Sequence, residues 1–154
     1  MKKILGVITL CLGLLWTTGA FAVEGLTQSL RCYGTGAVCV LTLSWTAASN
    51  GTFTSRAITA SYVTTLENHF MYLIETDPGT APTAAYDIVL NNARGLDILG
   101  GAGMNKSATV TERVFPMVNG GNGFPPVAGE TLTLGISGNS TDTATGVIKL
   151  WFTK

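Results

Sequence analysis

Val38 to Trp45, VCVLTLSW, sets Cys39, Leu41, Leu43 and Trp45 on one side and Val38, Val40, Thr42 and Ser44 on the other. A period of two with one apolar set marks a half-buried strand. The same period returns three times. Tyr86, Ile88 and Leu90 share a face. In ETLTLGIS (Glu130 to Ser137), Leu132, Leu134 and Ile136 oppose Thr131 and Thr133. In GVIKLWF (Gly146 to Phe152), Ile148, Leu150 and Phe152 oppose Val147, Lys149 and Trp151. His69 to Thr76, HFMYLIET, is apolar enough for a central strand, stopped by Pro78 and Pro82, which have no N–H to give to a ladder. Thr52 to Ala60 and Thr109 to Val118 add two β-prone runs, the second ended by Pro116. Ser61 to Asn68 fits either a helical turn through Tyr62, Val63 and Leu66 or a strand. Its β-branched and aromatic residues Tyr62 to Thr65 favour extended structure with a bend near Glu67-Asn68.

Turn chemistry separates these runs. Asn50-Gly51 is a strong hairpin signal. Asn92-Ala93-Arg94-Gly95 is a tight turn, and Gly100-Gly101-Ala102-Gly103 a turn needing positive φ. Met104 to Ala108 admits a short helical turn, and Asn119 to Pro126 (NGGNGFPP) is a surface loop. Gly138 to Thr145 is a polar turn that joins the last two strands as a terminal hairpin. Val23 to Ser29 is read as a loosely held polar lead-in. The resulting fold class is all-β: a single antiparallel β-sandwich, jelly-roll-like, of about seven to nine short strands.

The first residues follow a different pattern. Lys2 and Lys3 precede an uncharged apolar run, Ile4 to Trp16, and Ala20-Phe21-Ala22 is a small-x-small cleavage signal. Residues 1–22 are therefore expected to be a cleaved signal peptide and 23–154 the β-sandwich domain, exported to the periplasm, cell surface or extracellular space. Export leaves Cys32 and Cys39, which bracket a glycine-containing reversal and read as a disulfide. Loss of Lys2 and Lys3 takes 9 basic residues to 7 against 9 acidic ones, a net charge of 7 − 9 = −2. That excludes a strongly basic nucleic-acid face. Charged residues are only 12% of the chain, leaving broad neutral surfaces suited to burial in an assembly.

Candidate chemistry is thin. A Ser/His/Asp triad would have to use His69, the only histidine, oriented by Asp77 or Asp87, and there is no Gly-x-Ser-x-Gly elbow. Lys106 does not follow Gly100–Gly103 at phosphate-loop spacing. Asp77, Asp87 and Asp97 lack the clustered spacing of a calcium loop; Asp77 before Pro78 and Asp97 after Gly95 read as turn caps. No catalytic residue, metal site or cofactor is expected. Aromatic residues at alternate strand positions are expected in the core. Phe124, in a Gly/Pro loop with Asn122 and Pro125, is the expected exposed contact.

The run Asp77 to Ser107 carries Pro78-Gly79, Ala81-Pro82-Thr83, Tyr86-Asp87-Ile88, Leu90, Gly95, Asp97, Leu99-Gly100-Gly101, Gly103 and Asn105. This resembles a recurring segment of small phage structural proteins, of the form PG-APT-YDI-L followed by G-D-L-GG-G-N. Pro126-Val127-Ala128-Gly129, Leu132-Thr133-Leu134 and Gly146 to Leu150 extend the resemblance, which covers most of the chain from Trp45 onward. It implies a non-enzymatic virion component that acts through contacts with its own copies or other structural proteins. The signal-like start and the cysteine pair imply instead an exported protein that binds a ligand or adhesion partner through its loops.

Overall fold

The structure, a computed structural model, describes residues 23–80 and 82–154; the expected signal segment and its cleavage site lie outside the described residues, as does Ala81. The chain opens with β1 (Gly25–Tyr33) and β2 (Val38–Thr46), an antiparallel pair in register from Gly25 opposite Thr46 to Tyr33 opposite Val38. The predicted β2 face is the buried one: Cys39, Leu41, Leu43 and Trp45 are all in the core. β1 corrects the expected loose lead-in. Of its inward set only Leu26 and Leu30 are aliphatic, with Gln28 between them, so its own pattern is weak. The backbone ladder to β2 and the Cys32–Cys39 bond hold it extended.

After β2 the chain turns at Ala48 to Gly51, with the Gly51 N–H donating to the Ala48 carbonyl (3.0 Å). The Asn-Gly signal marks a real turn but not a hairpin, because the chain leaves for another sheet through β3 (Arg56–Ala57). A short helix, α1 (Ala60–Thr65), then replaces the expected extended segment. Val63 and Leu66 are buried, and the Thr64 and Thr65 hydroxyls donate to the Ala60 and Ser61 carbonyls four residues back. Those bonds and the buried Val63 and Leu66 outweigh the poor helical propensity of this segment.

β4 (Phe70–Pro78), β5 (Asp87–Asn91), β6 (Glu112–Val114), β7 (Met117–Val118), β8 (Gly121–Asn122), β9 (Thr133–Ser137) and β10 (Thr145–Thr153) complete the described chain. Pro116, with no N–H, separates β6 from β7 where the sequence reads one strand. No helical turn forms at Met104 to Ala108. The larger sheet has the order β1-β2-β10-β4-β6 and the smaller one β3-β9-β5; β7 and β8 form a ribbon. All strand pairs are antiparallel. The ten strands among the described residues exceed the expected number because β3, β7 and β8 are two-residue ladders too short to leave a periodic signal.

β9 and β10 lie in different sheets, which corrects the expected terminal hairpin. Each has one apolar face: Leu134 and Ile136 on β9, and Ile148, Leu150 and Phe152 on β10. Pairing edge to edge would leave both faces needing cover. Placed in separate sheets, they join one cluster with Leu41, Leu43, Trp45, Ile74, Ile88 and Leu90. The crossing segment is tied down by Asn139, whose Nδ2 donates to the Gly51 carbonyl (2.6 Å) and whose Oδ1 accepts from the Thr83 N–H (2.9 Å). β1 is stapled across to the other sheet by side chains. Gln28 accepts from the Thr59 N–H (2.8 Å) and donates to the Ala57 carbonyl (2.9 Å), and Glu24 accepts from the Thr54 N–H (2.7 Å).

Gly146 sits opposite Trp45 in the β2–β10 ladder, and a Cβ there would lie 2.7 Å from the indole Nε1. Gly146→Ala is therefore expected to cost about 1–3 kcal/mol by overpacking. Gly121→Ala, at a site whose nearest neighbour is 3.9 Å away, should stay within about 0.5 kcal/mol. Denaturant midpoints of the two variants check this, and equal midpoints contradict it.

Candidate functional site

The larger sheet has one face in the core and one turned outward. The registers put the outward side chains in rows. Arg31, Val40, Trp151 and Leu73 lie across from one another on β1, β2, β10 and β4. The next row is Ser29, Thr42, Lys149, Glu75 and Arg113, which extends onto β6. Between Trp151 and Phe152 the β10–β4 register shifts, leaving Tyr72 as the extra residue of a bulge. Phe152 and Met71 point inward, so Tyr72 and Leu73 stay half-buried on the outer side. Tyr33 and Phe70 are exposed at the same end of this face. Phe115, the residue just past β6, follows the paired Val114 and is also exposed.

These side chains shape a shallow cleft of about 250 Å³ over β1, β2 and β10. Its floor is Val40, only 8% exposed although it faces outward, since Arg31 and Trp151 flank it. Tyr33 and Trp151 give it aromatic walls; Ser29, Thr42, Arg31 and Lys149 line the polar end. The Trp151 indole Nε1 is buried without a partner among the described residues.

Glu75 is the electrostatic centre of the face. Its side chain is 7% exposed, yet it lies on the outer side because two cations close over it. The Lys149 Nζ donates to Oε1 and the Arg113 Nε to Oε2, both at 2.7 Å. These bonds, Lys149 first and Arg113 second, hold the Glu75 carboxyl below its usual 4.5, against the opposing effect of burial.

The residues marked by the sequence are dispersed. Cys32 and Cys39 are bonded, with sulfurs 2.02 Å apart, at the tip of the β1–β2 pair. His69 is buried beside that bond: its Nε2 is 2.8 Å from the Gly36 carbonyl and 3.7 Å from the Cys39 sulfur, and its Nδ1 is 3.3 Å from the Glu67 carbonyl. The ring thus ties the hairpin tip to the start of β4 and does not meet Asp77 or Asp87. The three aspartates are apart: Asp77 on β4 and Asp87 on β5 bond segments distant in sequence, which corrects the expected Asp77 turn cap, and Asp97 caps a local turn. Asp77 accepts from the Thr111 hydroxyl and Asp87 from the Asn105 N–H, while Asp97 accepts from the N–H groups of Leu90, Leu99 and Gly101. Gly100 and Gly101 take positive φ, 64° and 87°, and Gly100 packs against the Met117 carbonyl.

In the expected contact loop, Phe124 is 58% exposed, Asn122 lies on the exposed ribbon strand β8, and Pro125 is half-buried with its carbonyl accepting from the Met71 N–H (3.1 Å). The aromatics divide against expectation. Trp45, Tyr86 and Phe152 are core residues, whereas Phe70 and Phe115 are exposed. Sequence alternation places these residues on a face but does not say which sheet face receives a covering layer.

Comparison with known proteins finds no matching family model, no matching curated protein and no matching solved structure.

Removing the Glu75 charge strips two buried charge-assisted bonds. Because Lys149 and Arg113 are partly solvated, Glu75→Gln is expected to cost about 1–2 kcal/mol near neutral pH. A depressed carboxyl pKa contributes stability that is present above the ordinary glutamate value and is lost as pH falls through the folded value. The gap between the native chain and the variant should therefore narrow below pH 4.5. Urea midpoints over pH 3–7 measure it; a gap that widens on acidification contradicts this account.

Proposed function

We propose that this protein is a non-enzymatic structural component that acts through contacts between its subunits, as the resemblance to small phage virion proteins implies. The observation that carries this reading is the outer face of the larger sheet. Tyr33, Phe70 and Phe115 are exposed there beside half-buried Tyr72, Leu73 and Trp151. Clustered aromatic side chains on a sheet face are typical of a surface completed by a partner. Low overall charge supports the same reading. In it, the five- and three-stranded sheets are the two layers of a jelly-roll-like sandwich, and assembly takes place in a virion.

A second reading, an exported protein that binds a ligand or adhesion partner, is favoured by the Cys32–Cys39 bond, since disulfides persist in oxidising compartments. There Asn122, Phe124 and Pro125 are the contact loop.

Sedimentation velocity of the mature chain across a wide concentration range separates the two. Subunit contact predicts defined oligomers; a clean monomer at the highest concentration contradicts it.

A further inference from the structure

Subunit contact needs a surface, and the strand edges point to one. An open edge offers unpaired N–H and C=O groups to any other strand, so folded proteins shorten, charge or cover their edges. This protein covers most of its own. The free side of β5 is capped by the segment 97–106: the Ile88 N–H donates to the Gly103 carbonyl, the Ile98 N–H to the Leu90 carbonyl and the Lys106 N–H to the Tyr86 carbonyl. β3 has two residues. β6 has three, two of them charged (Glu112 and Arg113), with Pro116 just beyond. β1 is different: it is nine residues long, carries Arg31 as its one charge, contains no proline, and pairs without a register break to β2 alone among the described residues.

The amides on the open side of β1 can be identified. The Ala47 N–H bonds the Ala144 carbonyl and the Lys154 N–H bonds the Ala37 carbonyl, so odd-numbered residues of β2 turn toward β10 and even-numbered ones toward β1. Through the register, Thr27, Ser29 and Arg31 use their backbone groups on β2. The backbone groups of Leu26, Gln28, Leu30 and Cys32 therefore face outward. The Cys32–Cys39 Cα distance of 4.0 Å agrees, since cross-strand pairs that exchange no hydrogen bonds are the closer ones.

We propose that β1 is the subunit contact: two copies pair their β1 strands antiparallel about a two-fold axis at Ser29 and fuse their larger sheets into one. This rests on the subunit-contact reading and names its surface and partner. The occupant is a second copy because the strand is self-complementary in that register. Gly25 lies opposite Tyr33, where an aromatic ring covers a strand glycine. Thr27 lies opposite Arg31, so the one charge of each strand meets a hydroxyl and not its own copy. Leu26 lies opposite Cys32, and Gln28 opposite Leu30, and these four positions supply the new ladder. All nine residues are matched, and the arrangement closes as an isologous dimer. Both outer faces then lie on the same side of the fused sheet, with the aromatic row of each copy ending at the partner's Thr27.

Ser29 and Thr27 are exposed and face outward, so substitutions there spare the core. In the proposed dimer the two Ser29 residues form a close pair, at roughly the 4.5 Å Cα spacing that a disulfide accepts. The two Thr27 residues are four positions apart along the strand, roughly 13 Å. Mild oxidation of the Ser29→Cys chain should give a covalent dimer that keeps its Cys32–Cys39 bond by mass analysis, while Thr27→Cys gives none. Ser29→Lys, which sets like charges on the axis, should weaken the dimer several-fold in sedimentation and leave the far-UV spectrum unchanged. Equal cross-linking at both positions overturns the register. Oligomers that neither cross-link at Ser29 nor respond to Ser29→Lys overturn edge pairing but leave the subunit-contact reading standing. A monomeric native chain overturns both.

Discussion

The last strand occupies the middle of the molecule. β10 lies between β2 and β4, paired along nearly its full length with each, and its inward residues Ile148, Leu150 and Phe152 are completely buried. Until it is in place, the β1–β2 pair and the β4–β6 pair have no ladder between them. The core cluster then lacks one wall. Contacts of such sequence separation are slow to form, because chain closure must precede the stabilisation that burial provides. The same strand sets the outward face. Lys149 reaches Glu75 only because β10 lies beside β4, and Trp151 walls the cleft only because Val40 and Leu73 are its cross-strand neighbours.

The parts of this architecture that were legible in the sequence are those governed by local pattern. The alternation of β2, of Tyr86-Ile88-Leu90 and of Ile148-Leu150-Phe152 identifies the buried faces, because a strand with one wet side must alternate. The turns at Asn92–Gly95 and Gly100-Gly101 are legible because positive φ selects glycine. What the pattern misses is decided at a distance. β1 has a weak face of its own and is held by a neighbour; α1 forms from β-branched residues because Val63 and Leu66 are buried. The separation of β9 from β10 follows from two apolar faces that need each other, which no turn sequence records. The outer face is invisible for the same reason. Glu75, Arg113 and Lys149 are far apart in the chain, and only strand order makes them one ion-paired row.

Chemistry and architecture separate cleanly here. Of the residues that first invite a catalytic or metal reading, His69 ties a hairpin tip, Asp77 and Asp87 join strands to segments distant in sequence, and Asp97 holds a turn. The disulfide and the side-chain staples of Gln28 and Glu24 fix β1, the strand with the weakest pattern, against the rest. Among the described residues its outer edge meets no further strand, and the aromatic side chains of the outer face lie beside it.

Native-state hydrogen exchange tests the organising role of β10 most directly. The amides of Ile148, Leu150 and Phe152 should be among the slowest to exchange and should open only with global unfolding. Exchange of β10 ahead of the β2 amides that face it, with the rest of the sheet still protected, would contradict the account.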